Sequence, residues 1–124
     1  MSRRRLEILQ WVGLLAGALV WTAQHVVGYG VTEAACGAGS AQFGISHDVW
    51  QASLMAVAVV VILGAEAAAL TVFLATRSSS YEAEPPAGRI RFFAIAAMTA
   101  NAIFLMIVLL DGFAAIFNVE CRQS

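Results

Sequence analysis

The sequence predicts an all-α membrane protein of three transmembrane helices, with its N-terminus inside and its C-terminus outside. Three observations carry that expectation. Of 124 residues, 60% are hydrophobic and 12% charged, and the mean hydropathy is +0.80. That is too little polar material to cover a soluble chain of this size, so lipid must be the solvent for much of the surface. Three segments each exceed the roughly 20 residues that cross a hydrocarbon core. None has strand-like alternation, and a spanning backbone must satisfy its hydrogen bonds internally, so all three are helices. Finally, the chain has no lysine, and six of its seven arginines would lie on one side of the membrane.

The first span runs from Leu6 to Gly30 and is interrupted mainly by Glu7, Gln10, Gln24 and His25. Arg3, Arg4 and Arg5 precede it. "SRRRL" before an apolar run could open a secretion signal, and "EAAC" has the small residues and cysteine of a lipoprotein cleavage site. Glu33 stands where such a site needs an apolar residue, and the run is longer than a signal core. The expectation is a retained anchor. The outer connector, "GAGSAQFGIS", is short, glycine-rich and uncharged. Ser46 is placed to cap the second span, Asp48 suits the helix dipole in its first turn, and Trp50 and Tyr29 mark the outer interface.

The second span, from Val49 to Thr76, contains Glu66; the third, from Ile90 to Phe117, contains Asn101 and Asp111. Between them, "EPPAG" should stop the helix. Arg77, Arg89 and Arg91 flank this connector, while Arg122 alone lies at the other side, which sets the orientation by the positive-inside rule. Connectors of these lengths leave no room for an extramembrane domain, so residues 1–124 form a single membrane domain. No basic patch exists beyond the membrane flanks, which argues against nucleic acid as a partner.

The intramembrane polar residues are His25, Glu66, Asn101 and Asp111. His25 precedes Cys36 by 11 residues and Asp111 precedes Cys121 by 10, on helices running in the same direction. The histidine and the aspartate should therefore share a depth, and a contact would ease the insertion of both. His25 is expected to bond to Asp111 or to a neighbouring subunit. Its functional alternative is haem ligation or proton transfer. Haem ligated by two histidines would need a second one at similar depth, and His47 lies nearer the outer surface. Ala18, Trp21, Gly28 and Thr32 share the face of His25, and the two small residues would admit another helix.

A carboxylate at Glu66 costs about 2.5–3.5 kcal/mol in a lipid-facing helix centre, so it faces protein or is protonated. Asn101 is near the same depth and could bond to it. The alternative, a proton-pathway carboxylate, has no relay to complete it. Cys36 and Cys121 both fall on the outer, oxidising side, where a disulfide between the outer ends of the first and third spans can persist. The alternatives are two free thiols, or metal ligation with His47, for which the donors are too few. "GLLAG", Gly13 to Gly17, is a GxxxG match that serves packing within the chain or against a neighbour.

No Ser/His/Asp set, P-loop, HExxH or CxxCH appears, so no enzyme activity and no resident metal are expected. Three helices bury few faces against one another, and polar residues in all three suggest that an adjoining protein supplies contacts. The stretch "LLAGALVWTAQHVVGYGVTEAAC" carries Leu14, Leu15, Gly17, Trp21, His25, Gly28, Tyr29 and Cys36. The ending "NAIFLMIVLLDGFAAIFNVEC" carries Asn101 and Cys121. Together they resemble small three-helix bacterial membrane proteins associated with haem–copper cytochrome c oxidases. The resemblance covers the first and third spans. It implies a multi-pass protein of the bacterial inner membrane, partnered by other membrane subunits and lipids, and acting as a non-catalytic accessory subunit of a respiratory complex. It carries over no catalytic residue and no cofactor in this chain. The alternatives are a small electron-transfer protein binding haem through His25, and a transient assembly factor.

Overall fold

The computed structural model describes residues 1–37, 46–80 and 82–117. Three helices make it up: α1 (Arg3–Cys36), α2 (His47–Ala75) and α3 (Ala87–Phe117), with no strand among the described residues. At 1.5 Å per residue they are about 51, 44 and 46 Å long, against a hydrocarbon core of about 30 Å. All three are long and apolar enough to cross a membrane, and each packs on the other two. The protein is a multi-pass membrane protein.

Each helix has a local reason for where it starts and stops. Ser2 caps α1: its hydroxyl accepts from Arg5 N at 3.4 Å and its carbonyl from Leu6 N at 3.1 Å. The Gly-Tyr-Gly at 28–30 does not end α1, which continues through Thr32, whose hydroxyl donates back to Gly28 O at 3.0 Å. Cys36, expected just past the helix, is its last residue. Ser46 does occupy the N-cap position of α2, and its carbonyl accepts from Trp50 N, but its hydroxyl makes no capping bond. Favourable charge in that first turn comes from Asp48.

At the arginine-rich end, Arg91 closes α2 from the neighbouring helix. Its Nη1 donates to Thr76 O at 2.8 Å, and its guanidinium lies 4.8 Å from the centre of the Phe73 ring. A cation thus sits on the C-cap carbonyl of α2, which also accepts from Ser79 N at 2.9 Å. The connector ends at Pro85–Pro86, joined by a cis peptide bond, and Pro86 O accepts from Ile90 N in the first turn of α3.

The packing inverts the usual pattern of a water-soluble bundle. The buried residues of α1 are Gln10, Gly13, Gly17, Gln24 and Gly28, a single stripe at three-, four- and seven-residue steps containing no large apolar side chain. The large apolar residues of α1, among them Trp11, Leu15, Leu19 and Val26, point outward. On α2 and α3 alanine is the commonest buried residue, with Ile62, Val72, Ile90 and Val108 filling the wider gaps. In lipid there is no hydrophobic drive to hide leucine, so helices meet where small residues let backbones approach and polar groups find partners.

Two apolar clusters bracket the polar middle. Val72, Ile90 and Ala94 gather Leu6, Leu9 and Phe73 at the arginine-rich end. Ala58, Ile62 and Val108 gather Val20, Trp21, Met55 and Phe104 toward the other. The GxxxG pair is used within the chain, one glycine on each neighbour. A Cβ on Gly13 would lie 3.1 Å from both the Cβ and the backbone N of Ala69 and 3.2 Å from Ala65 O, all on α2. One on Gly17 would lie 2.7 Å from Asn101 Oδ1 on α3.

Gly13→Ala should therefore push α1 off the α2 backbone and destabilise the bundle by about 1–3 kcal/mol. Gly64→Ala, where no atom lies within 4 Å of the added carbon, should be neutral or slightly stabilising because alanine is the better helix former. Denaturation by SDS titration from mixed micelles measures both.

Candidate functional site

Three groups of polar side chains join the helices. The first joins all three helices at mid-height. Asn101, 1% exposed, donates from Nδ2 to Gly13 O on α1 at 3.0 Å and to Glu66 Oε2 on α2 at 3.4 Å. Glu66, expected to face protein, is half-buried and accepts this bond. Asn101 Oδ1 is buried without a partner, which is where the missing side chain of Gly17 matters: any Cβ there would fall on that oxygen. The arrangement is interhelical glue around one carboxyl group, and the described residues place no second carboxylate or histidine in contact with it.

The second group is His25 and Asp111, expected from their spacing to share a depth. His25 Nδ1 lies 3.3 Å from Asp111 Oδ2, bridging α1 and α3. The pair is not interior: the histidine side chain is 60% exposed and the aspartate 35%. Trp21, one turn before, sits with its ring 6.1 Å from the imidazole and 5.9 Å from Phe104, holding one flank of His25. With Nδ1 turned to the carboxylate, Nε2 points away from Asp111 and has no hydrogen-bond partner among the described residues.

The third group ties α1 to α2 at the end carrying Cys36. Gln51, 3% exposed, donates from Nε2 to Gly28 O at 3.0 Å and Thr32 Oγ1 at 3.2 Å. His47 Nε2 lies 2.8 Å from the same hydroxyl and 3.3 Å from Gln51 Nε2. Thr32 has one hydroxyl proton and two neighbours for it, Gly28 O and His47 Nε2, so the tautomer of His47 sets its direction. The other ring nitrogen of His47 is buried, with Asp48 Oδ1 its nearest acidic oxygen at 3.8 Å. Gly28 makes the seam possible, since a Cβ there would stand 2.9 Å from Gln51 Oε1.

Between the second and third groups lies a cleft of about 160 Å³, lined by Gln24, His25, Gly28, Tyr29, Thr32, Gln51, Asp111 and Ala115. Gln24, 4% exposed, bonds across to α3, donating to Val108 O at 3.4 Å, while its Oε1 is buried without a partner. The cleft is the candidate site. It brings together polar side chains of all three helices beside the most exposed ionisable pair of the apolar spans.

Of the residues singled out in the sequence, His25 meets Asp111 and Glu66 meets Asn101, as two separate groups. No cluster of three or more His, Cys, Asp or Glu that could hold a metal ion occurs among the described residues. Cys36 closes α1, while Cys121 and Arg122 lie outside the described residues. Sequence reasoning treated Gln10 and Gln24 as interruptions of an apolar run and passed over Gln51. The signal was present: Gln10, Gly13, Gly17, Gln24 and Gly28 share one helical face, and Gln51 stands four residues after His47. Gln51→Leu removes two bonds across the α1–α2 seam and should destabilise by about 1–2 kcal/mol by SDS titration. Ser53→Ala, whose hydroxyl bonds only to Val49 O of its own helix, should stay within about 0.5 kcal/mol. No protein-family model, no characterised protein and no solved structure matches this chain.

Proposed function

We propose that the chain is a non-catalytic accessory subunit of a bacterial respiratory membrane complex, a haem–copper terminal oxidase, in the inner membrane with its N-terminus inside and its C-terminus outside. Its work is to pack against core helices and steady them. The observation that carries this reading is the exposure of the His25–Asp111 pair on a surface that is otherwise apolar. An aspartate costs up to about 2.5–3.5 kcal/mol where a helix centre faces hydrocarbon and less toward the interface, whereas an interhelical polar contact in a membrane averages about 0.6 kcal/mol. One bond inside the chain does not offset that cost, so a neighbouring subunit covers the pair. The resemblance of the first and third spans to oxidase-associated three-helix proteins supplies the identity of that neighbour. The arginines at one end support the orientation, and the sequence positions of Cys36 and Cys121, each just past the expected outer end of the first or third span, support a disulfide between them.

A second reading is favoured by one feature of the same pair. A histidine whose Nδ1 is held by a carboxylate and whose Nε2 is unengaged has the arrangement of a metal-ligating imidazole. In this reading the protein binds haem through His25, with the second axial ligand from another chain.

Detergent extraction and affinity purification separate these readings. A subunit co-purifies with the oxidase core in fixed stoichiometry, whereas a transient assembly factor appears free or substoichiometric. A Soret band in the purified chain would establish the haem reading in place of ours. His25→Leu should lower retention in the complex by severalfold while turnover per intact complex changes less than twofold; collapsed turnover in a fully assembled complex would overturn the packing role. Mass spectrometry of the unreduced protein should find it lighter by two hydrogens than the reduced protein.

A further inference from the structure

On the accessory-subunit reading, on which this step rests, a neighbouring chain covers His25 and Asp111. We infer that the cleft beside them is a socket for the guanidinium of an arginine carried on a transmembrane helix of that chain. Size narrows the occupant first. A cleft of about 160 Å³ takes a side chain, whereas a helix is about 10 Å across and must lie over it. Ala115 in the cleft and Ala18 on the face of His25 are small enough to let such a helix come close.

Unused acceptors narrow it further. Gln24 is 4% exposed, and its Oε1 is buried without a partner. Its Nε2 donates to Val108 O, and a flipped amide would set oxygen against oxygen there. Asp111 Oδ2 faces His25 Nδ1 at 3.3 Å, while Oδ1 has no partner among the described residues. The nearby amide of Gln51 is taken up by Gly28 O and Thr32 Oγ1. The group that completes this cleft therefore brings several N–H donors and needs no acceptor. An amide oxygen makes that demand whatever the state of the carboxyl group beside it.

Charge selects among such groups. Glu33, Asp48 and Asp111 lie toward the Cys36 end, every described arginine lies toward the other, and the chain has no lysine. A cation within a membrane span has to pair with an acid, and this chain supplies the acid without the cation. Arginine suits the cleft better than lysine. Its planar fork donates to a carboxylate and an amide oxygen at once, and it is more weakly hydrated. His25 is then a positioning residue, which holds the carboxylate by Oδ2 and leaves Oδ1 for the guanidinium.

The test uses the tagged full-length chain, extracted with its complex from the native membrane. Tyr29, an exposed residue of the cleft, is replaced by the photocrosslinker benzoyl-phenylalanine, and the joined peptide is mapped by mass spectrometry. The expected product is a transmembrane segment of another chain with an arginine within one helical turn of the crosslink. Asp111→Asn should lower retention in the complex about tenfold, because a covered charge pair loses one member. Glu33→Gln, an exposed acid outside the cleft, should change it less than about twofold. Circular dichroism verifies that Asp111→Asn folds, and Asp111→Arg combined with aspartate at the mapped arginine should restore retention. The inference falls, with the accessory-subunit reading intact, if the wild type co-purifies but Asp111→Asn is retained equally well. It falls in the same way if the crosslinked segment has no arginine, or is a second copy of this chain, whose described arginines all lie at the other end. A wild-type chain that purifies free overturns the reading and the inference together.

Discussion

The bundle depends on one kind of bond: a side-chain amide on one helix donating to a backbone carbonyl on another. Asn101 of α3 donates to Gly13 O of α1, Gln51 of α2 to Gly28 O of α1, and Gln24 of α1 to Val108 O of α3. A carbonyl already used in its own helix keeps a second lone pair, which a neighbour can reach only when the backbones are close. Glycines provide that approach: a Cβ on Gly28 would stand 2.9 Å from Gln51 Oε1 and one on Gly17 2.7 Å from Asn101 Oδ1, while Gly13 brings α1 onto the α2 backbone at Ala65 and Ala69. Two of the three amides thus need a glycine beside them, Gln51 at Gly28 and Asn101 at Gly17, and neither amide nor glycine makes sense as an isolated feature of the sequence.

This constraint explains why the polar residues of the chain do not form one site. Each amide sits at its own height, so the bundle is pinned at mid-height by Asn101 and near the Cys36 end by Gln51, with Gln24 between. Glu66 is drawn into the mid-height pin as an acceptor. His25 and Asp111 stay outside the sequence of pins, on the flank where α1 and α3 meet, and the cleft opens there because Gly28 and Ala115 leave room beside Gln51. The groups that hold the fold are buried amides. The groups left facing outward are ionisable, and that division separates structure from candidate function in this molecule.

Much of this was legible in the residues. Length and hydropathy sufficed for three spans, and the near-equal spacing of His25 and Asp111 from the cysteines sufficed to place them at one depth. The exposure of that pair was not legible, because depth along a helix says nothing about the angle around it. The continuation of α1 through Gly28-Tyr29-Gly30 was also missed: glycine weakens a helix in water by about 1 kcal/mol, but in an apolar surrounding an open backbone is worse than a helical glycine. Ser46 has the right residue type and position for a cap, yet its hydroxyl makes no capping bond.

By itself the sequence determined the fold class, the three spans and the identity of the polar residues, because these follow from how much apolar length the chain has and where its charges fall. Tertiary structure alone decided that GxxxG faces inward, that α1 buries glutamine and glycine while showing leucine to lipid, and that Gln24, Gln51 and Thr32 line a cleft with His25. The reason is rotational. A stripe of small and polar residues marks a contact face, but only the packed neighbours determine which carbonyl each amide meets and which nitrogen is left unengaged.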